Sequence, residues 1–385
     1  MTFRSGWKIS SAINIKELEN VGKYAKYVNS LRLWTELVRP SFRGKMADFS
    51  LMFDDRVYSD APLWVETFHA FAPGSGSGVP GELPSFIEGK EDTSIVNGMQ
   101  HSHNDFDELF MFIGSNPHDN TSLGGEAEIW LGEGEDAQKF IVKSPTAAWV
   151  PRNVAHNPDL FTKINNPDQP IIEIVVALTR KYDLQFSNTR IFPAPPAFSF
   201  EKVGQEQPGK GKYTPLVNRL QLATDRVFPF HRGRVAVPTL MFDKNVYRAP
   251  VWVEIFHVYA GGSGIGTPTL ETALPPNPPG AENLDLTKGF GHAHNFDELF
   301  LFIGTDPHDT LNLGGEVEAW VGEGEEAEKF LFTKATSIFV PAGVVHNPVY
   351  YRRVDKPYLM VVIALVKDYF DAALRWVPLP PAFKL

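Results

Sequence analysis

The sequence contains no cysteine, no long apolar run and no block of basic residues. Because none of the 385 residues is cysteine, disulfides, thiolate nucleophiles and cysteine-ligated zinc or iron–sulfur sites are excluded. The longest apolar run, "YLMVVIALV", is too short to cross a bilayer. The beginning of the sequence, "MTFRSGWKISSAINIKELEN", lacks the apolar core of a signal peptide. We therefore expect a cytoplasmic protein that has no membrane partner.

The charge and composition indicate a folded, turn-rich protein. The net charge is −10, and the 36 Lys and Arg residues are dispersed along the chain, which argues against nucleic acid as a partner. Apolar residues make up 43% of the chain, which also has 31 glycines and 31 prolines. This composition is typical of a globular β-rich protein and excludes a disordered one.

One unit of sequence occurs twice. "LMFDDRVYSDAPLWVETFHAFA" returns as "LMFDKNVYRAPVWVEIFHVYA", and "LGGEAEIWLGEGEDAQKF" returns as "LGGEVEAWVGEGEEAEKF". Matching residues lie about 190 positions apart, an ordinary domain size. We predict an N-terminal domain over residues 1–200 with a helical N-terminal extension, a polar linker over 201–213 and a C-terminal domain over 214–385. Both repeats end in "PPAF", which we expect to strap one repeat onto the other.

Alternating apolar residues predict that each repeat is built from short strands. In "LWVETFHAF", Trp64, Glu66 and Phe68 share one face, and Val65, Thr67 and His69 share the other. Such strands, separated by turn signals, are typical of a sandwich or a small barrel. Two segments, residues 14–38 and 366–377, have a helical pattern. The fold class predicted is all-β, with two tandem barrels and a few peripheral helices.

Histidines and a glutamate recur at matched spacing in the two repeats. Period-2 alternation places the histidines of "HSH" and "HAH" on one strand face, a glutamate opens the next strand, and a later "HNP" supplies a third imidazole. Nitrogen and oxygen donors of this kind suit Mn, Fe, Co, Ni or Zn. We predict up to two divalent metal ions per chain, with Mn or Fe favoured. The predicted ligands are His101, His103, Glu108 and His156 in the first repeat and His292, His294, Glu298 and His346 in the second.

These motifs resemble those of the cupin superfamily. "HSHNDFDELFMFIG" and "HAHNFDELFLFIG" are similar to the first cupin motif, and "PRNVAHN" and "PAGVVHN" to the second. The resemblance implies a bicupin, with two tandem jelly-roll-like barrels that bind metal. The first repeat departs from the pattern by an extra residue, Asp105, and by Asn153 in place of the glycine found at Gly343. Asparagine tolerates a left-handed turn, so we expect that turn to survive.

Four further residues recur on the predicted "WVE–FH" strands. His69 and His257, and likewise Glu66 and Glu254, could orient the metal ligands or carry protons behind them. The alternative, which we favour, is that the histidines are hydrogen-bonded core residues and the glutamates are buried partners of a neighbouring arginine or backbone group. The catalytic residues themselves are not identified by the sequence.

The complete ligand sets favour an enzyme over a storage or binding module. We expect metal-dependent cleavage of a C–C bond in a small chelating dicarbonyl, enolic or phenolic substrate, with dioxygenase chemistry first. An oxygen-independent hydrolase or decarboxylase is the alternative, and a non-catalytic binding bicupin is the second. Oxalate decarboxylases have an arginine just before the His-x-His pair, where this chain has "GMQ" and "GFG", so we expect a different substrate. A homo-oligomer is possible.

Overall fold

The computed structural model describes residues 22–34, 42–43, 50–79, 85–87, 90–92, 98–180, 182, 189–202, 204–205, 211–223, 231–232, 239–268, 280–369 and 373–385. Within these residues the regular structure is almost entirely β. The helices there are 3-10 turns of three residues: Ala25–Tyr27, Gly134–Asp136, Phe200–Lys202, Thr214–Leu216, Leu286–Lys288 and Gly324–Glu326. No helix in this part of the chain is long and apolar enough to cross a membrane.

The first half contributes sixteen strands. They are β1 Val28–Ser30, β2 Arg32–Trp34, β3 Phe42–Arg43, β4 Ser50–Phe53, β5 Trp64–Ala70, β6 Ser75–Ser77, β7 Ser85–Ile87, β8 Lys90–Asp92, β9 Met99–His103, β10 Glu108–Gly114, β11 Gly125–Leu131, β12 Gln138–Val142, β13 Thr146–Val150, β14 His156–Ile164, β15 Ile171–Ala177 and β16 Thr189–Pro193.

The second half repeats most of this order. Its strands are β17 Val217–Arg219, β18 Gln221–Ala223, β19 His231–Arg232, β20 Thr239–Phe242, β21 Trp252–Val258, β22 Ser263–Ile265, β23 Phe290–His294, β24 Glu298–Gly304, β25 Asn312–Val321, β26 Glu328–Lys334, β27 Thr336–Val340, β28 His346–Val354, β29 Tyr358–Ala364 and β30 Leu374–Pro378.

Each half is a sandwich of two seven-stranded antiparallel sheets. In the first half one sheet has the order β17-β13-β10-β15-β5-β4-β2, and the other contains β12, β11, β14, β6 and β3 in order, with β9 and β16 beside β14. The second half has the matching pair, beginning β1-β27-β24-β29-β21-β20-β18. Between the sheets lies an apolar lumen, formed in the first half by side chains such as Phe110, Ile129, Phe161 and Val175. The predicted all-β, two-barrel fold class is confirmed.

The helical prediction for residues 14–38 is wrong within the described part. Residues 22–34 form a single 3-10 turn followed by β1 and β2, while residues 14–21 and 35–38 lie outside the described residues. The apolar spacing serves sheet pairing instead, because Val28 is buried in the core of the second half and Leu31 in the core shared by both halves. Tertiary contacts outweigh local helix propensity here.

The second predicted helix, over residues 366–377, is also wrong in the described residues. Residues 366, 367 and 369 are bends rather than helix, and Leu374–Pro378 form β30, which pairs with β23 along its whole length. Residues 370–372 lie outside the described residues. The last residues of each repeat therefore complete their own barrel. Correspondingly, Phe198 packs on Trp130 and Phe383 on Trp320, each within one half. The expectation that the "PPAF" segments strap one repeat to the other is wrong.

The two halves exchange their first strands instead. β1 pairs with β27 of the second half through Val28 and Ile338, and β17 pairs with β13 of the first half through Val217 and Ala148. The exchange is reciprocal, so each half supplies the edge strand of the other half's sheet.

The outer faces of the paired sheets form one core between the halves. Val65 and Ile174 of the first half and Val253 and Leu301 of the second belong to the same apolar cluster, each at most 1% exposed. One face of β5 therefore packs against the other half while its opposite face lines a lumen, as the alternation of apolar residues requires.

Candidate metal centres

In the first half, three strands bring the predicted ligands together. His101 and His103 lie on β9, Glu108 opens β10 and His156 opens β14. β9 pairs with β14 directly at His101 and His156. The turn before β14 is fixed by Asn153, which has φ 66 and whose N–H donates to His103 O at 2.6 Å. The left-handed turn expected at this asparagine is confirmed.

The second half builds the same arrangement. β23 carries His292 and His294, Glu298 opens β24, and His346 opens β28 opposite His292. Gly343 takes the place of the asparagine, with φ 82 and its N–H donating to His294 O at 2.7 Å. The two turns are equivalent, so the substitution of Asn for Gly leaves the backbone path unchanged.

In both clusters the ligand atoms converge. All four lie within 4.8 Å of one another in each half, and every residue is buried. His156 Nε2 is 2.9 Å from both His101 Nε2 and Glu108 Oε2. In the second half Glu298 Oε2 is 3.2 Å from His294 Nε2 and 3.0 Å from His346 Nε2. Two ligands at right angles, each about 2.1 Å from one ion, lie about 3 Å apart, so these spacings fit a shared metal.

The hydrogen bonds on the far side of the rings fix their orientation. His156 Nδ1 lies 3.2 Å from Val154 O and His294 Nδ1 lies 2.7 Å from Phe296 O. A carbonyl oxygen only accepts, so each Nδ1 carries the proton and each Nε2 presents a lone pair to the cluster. The Glu108 oxygens receive no N–H with hydrogen-bond geometry, although two imidazoles face them. Lone pairs aimed at one buried point are what a divalent ion requires.

Both cluster glutamates favour their charged form. Burial favours the neutral form of Glu108, but positive charge on the neighbouring His103 and His156 outweighs burial and holds its pKa well below the usual range; with neutral rings a bound divalent ion would supply that charge. The pKa of Glu298 is lowered by His294 and His346 in the same way. Each cluster therefore combines three imidazoles and a carboxylate, the donor set of a divalent transition-metal site.

Sequence reasoning missed a tyrosine beside each cluster. Tyr182 Oη lies 3.3 Å from His101 Nε2 and 3.2 Å from His103 Nε2, and Tyr369 Oη lies 2.8 Å from His292 Nε2. Tyr182 follows β15 and Tyr369 follows β29, at matching places in the repeats. Aligning the two repeats would have matched these tyrosines, but the residues beside them, "KYD" and "DYF", differ.

The additional candidate residues are placed in two different environments. His69 Nε2 donates to Gly304 O and His257 Nε2 to Gly114 O, each at 2.7 Å and each across the boundary between the halves. Burial lowers the pKa of both rings, so both are neutral. We propose no catalytic role for them.

The two glutamates on the same strands face the lumens. Glu66 is 1% exposed and lines a cavity in the first half together with His101 and Tyr182. Glu254 is 3% exposed and accepts a hydrogen bond from Thr239 Oγ1 at 3.2 Å. Glu66 therefore shares a cavity with the first metal cluster.

Solved structures of oxalate decarboxylases have a similar fold. An arginine-to-alanine mutant of Bacillus subtilis oxalate decarboxylase has a TM-score of 0.51 at 13% sequence identity, covering 94% of this chain and 80% of that chain. The Bacillus subtilis oxalate decarboxylase whose Mn(II) centres were characterised gives 0.50 and 12% with the same coverage. No protein-family model and no curated protein matches the chain. With its two His–His–Glu–His clusters, the chain has the fold of a bicupin, two tandem metal-site cupin barrels.

Proposed function

We propose that this protein is a metal-dependent enzyme that cleaves a C–C bond in a small chelating carbonyl substrate. The observation that carries the proposal is the pair of complete, buried ligand sets inside the two barrels. A cluster with four protein ligands leaves coordination positions for a bidentate oxygen ligand such as an enediol, a 1,3-dicarbonyl or a phenolate.

The residues that would hold the ions are the eight named above. A divalent ion bound there supplies Lewis acidity, which stabilises the negative charge that develops on a carbonyl oxygen when a neighbouring C–C bond breaks. We propose Mn first, in line with the Mn(II) centres of the structural neighbour. The ligand set also accepts Fe, Ni, Co or Zn.

The cavity beside the first cluster is narrow. It has a volume of about 20 Å³, and Trp64, Phe68 and Phe110 line it together with polar side chains such as Glu66 and Asp159. Apolar walls exclude water and strengthen the electrostatic interactions inside. The Tyr182 hydroxyl, close to two of the ligand nitrogens, is placed to donate a hydrogen bond to a substrate oxygen bound at the cluster.

Oxalate itself is not the substrate we propose. The residue before His101 is Gln100, whose Nε2 donates to Gly132 O at 2.6 Å. The corresponding residue before His292 is Gly291. Neither position carries a positive charge that would hold a second carboxylate, so a neutral or singly charged chelating substrate fits better.

The oxygen requirement decides between the two forms of the reaction. Protein reconstituted with Mn(II) or Fe(II) would be supplied with 1,3-diketones, β-keto acids, flavonols and catechols, in air and in the strict absence of oxygen. Oxygen uptake coupled to cleavage supports a dioxygenase, whereas anaerobic cleavage supports a decarboxylase or hydrolase. His156→Ala should abolish either activity if the reaction uses the first cluster. Metal-loaded protein that cleaves none of these compounds would contradict the proposal.

A further inference from the structure

Two buried acids line the cavity beside the first metal cluster. Asp159 on β14 is 2% exposed and Glu173 on β15 is 1% exposed. Their carboxyl groups lie next to each other. Both line the cavity that also contains His101 and Tyr182. Two adjacent buried carboxylates repel each other when both are ionised, so one member of the pair holds a proton.

Burial raises the pKa of both acids, but the backbone contact of Asp159 assigns the proton to Glu173. Asp159 Oδ1 accepts the Ser77 N–H at 2.6 Å, a bond that favours its charged form. Burial raises the pKa of Glu173 well above its ordinary range, and the negative charges of Asp159 and Glu66 raise it further. The second carboxyl oxygen of Glu173, Oε2, is buried without a hydrogen-bond partner. An acid proton and an unused polar atom thus border the cavity.

The second half has the same fold without this pair. The register of β14 with β6 and of β28 with β22 matches Asp159 to Val349 and Ser77 to Ile265. The pairing of β15 with β10 and of β29 with β24 matches Glu173 to Met360.

All three polar positions are therefore apolar in the second lumen, and Val349 and Met360 belong to its core. The barrel does not need the acids, and burying them costs free energy. That cost, accepted in one half alone, indicates a function.

We infer that C–C cleavage takes place in the first half, and that Glu173, held in place by Asp159, protonates the substrate carbon that keeps the electron pair of the broken bond. The inference rests on the proposed function and deepens it, because it selects the form of the reaction that needs no oxygen.

For a β-keto acid, the C–C bond to the carboxylate breaks and a C–H bond forms in its place. The carboxylate leaves as CO2, the bonding electron pair passes to the neighbouring carbon as an enolate, and that carbon takes the proton of Glu173. Glu173 becomes a carboxylate and regains a proton from water before the next turnover. No oxidant is consumed, and one proton is taken up for each CO2 released.

The chain itself supplies conservative replacements for a test. Glu173→Gln keeps the shape and removes the acid. The double variant Asp159→Val/Glu173→Met installs the side chains that already occupy the matching positions of the second half. Met360→Leu, at the position equivalent to Glu173 in the other lumen, is the control. Metal content and thermal unfolding of every variant establish that it is folded and loaded.

Two readouts are needed. Anaerobic CO2 release from the singly charged β-keto acids acetoacetate and 3-oxopentanoate should fall at least about 100-fold in Glu173→Gln and in the double variant, as for loss of a general acid, and stay unchanged in Met360→Leu. The infrared spectrum at neutral pH should show a protonated carboxyl band that disappears in Glu173→Gln.

The outcomes distinguish the role of Glu173 from the proposed function. A wild-type protein that cleaves neither compound without oxygen overturns the inference, and if it also cleaves nothing in air the proposed function fails with it. Active wild-type protein with an equally active Glu173→Gln variant, or without the carboxyl band, overturns the role of Glu173 and leaves the proposed function standing.

Discussion

His257 offers a direct test of how the two halves are held together. Its Nε2–H donates to Gly114 O at 2.7 Å, and the ring is 1% exposed. His257→Leu removes this bond and leaves a buried carbonyl without a donor. An unsatisfied buried acceptor costs about 1–3 kcal/mol, so we expect the free energy of unfolding at neutral pH to fall by that amount.

The pH dependence makes the test sharper. Burial lowers the pKa of His257 from 6.5 to about 4. Between these two values the unfolded chain binds a proton that the folded chain does not. The stability contributed by the neutral ring is therefore complete above pH 6.5 and is lost as the pH falls toward 4. A shift of this size corresponds to about 3 kcal/mol. The variant lacks the group, so its deficit should shrink on acidification and vanish or reverse near pH 4.

Urea unfolding followed by tryptophan fluorescence, at a series of pH values, measures both quantities. Taking the difference between wild type and variant cancels the other titrating groups. His118→Gln, a change of an exposed histidine, is the control and should leave stability unchanged. A deficit that stays constant over this pH range would refute a buried neutral ring. A loss of turnover at unchanged stability would give His257 a role in catalysis that its position at the interface does not suggest.

Two other predictions concern the metal and the barrel. Mn(II)-loaded protein should contain about two ions per chain by elemental analysis, and the His156→Ala variant about one. A chelator should lower the melting temperature because the ions bind the folded chain. Two ions per chain in His156→Ala would contradict the ligand assignment. Gly114→Ala should destabilise the chain by about 1–3 kcal/mol in urea unfolding, because an added Cβ would lie 2.2 Å from Ser122 O. Gly261→Ala, whose Cβ would lie 3.2 Å from Arg352 O, should cost less, and equal losses would show that the close contact is not the cause.

The ligand geometry could be predicted from sequence because it depends on local rules. Strand alternation puts His101 and His103 on one face, and a turn returns Glu108 to them. The duplicated spacing showed that neither set was accidental. Asn153 was predicted to keep the left-handed turn for the same local reason, since its side chain tolerates positive φ.

What could not be predicted depends on contacts between distant segments. Val28 lies in a pattern that favours a helix, but it pairs with a strand some 310 residues later. His69 alternates correctly off the lumen face, yet no local rule shows that its partner is Gly304 of the other half. Asp159 and Glu173 are ordinary acids in the sequence, and only the fold places them together.

The exchange of β1 and β17 has a consequence for how the two sites can differ. Each repeat has a strand that pairs with the other half and a sheet edge that accepts such a strand. Two separate copies of one repeat would therefore exchange these strands and form a dimer with two-fold symmetry. The full chain is equivalent to such a dimer joined into a single polypeptide. In a dimer of identical subunits every substitution appears at both sites. Covalent linkage removes that constraint, so one lumen can keep an acid pair while its twin, with the same ligands, becomes apolar and structural.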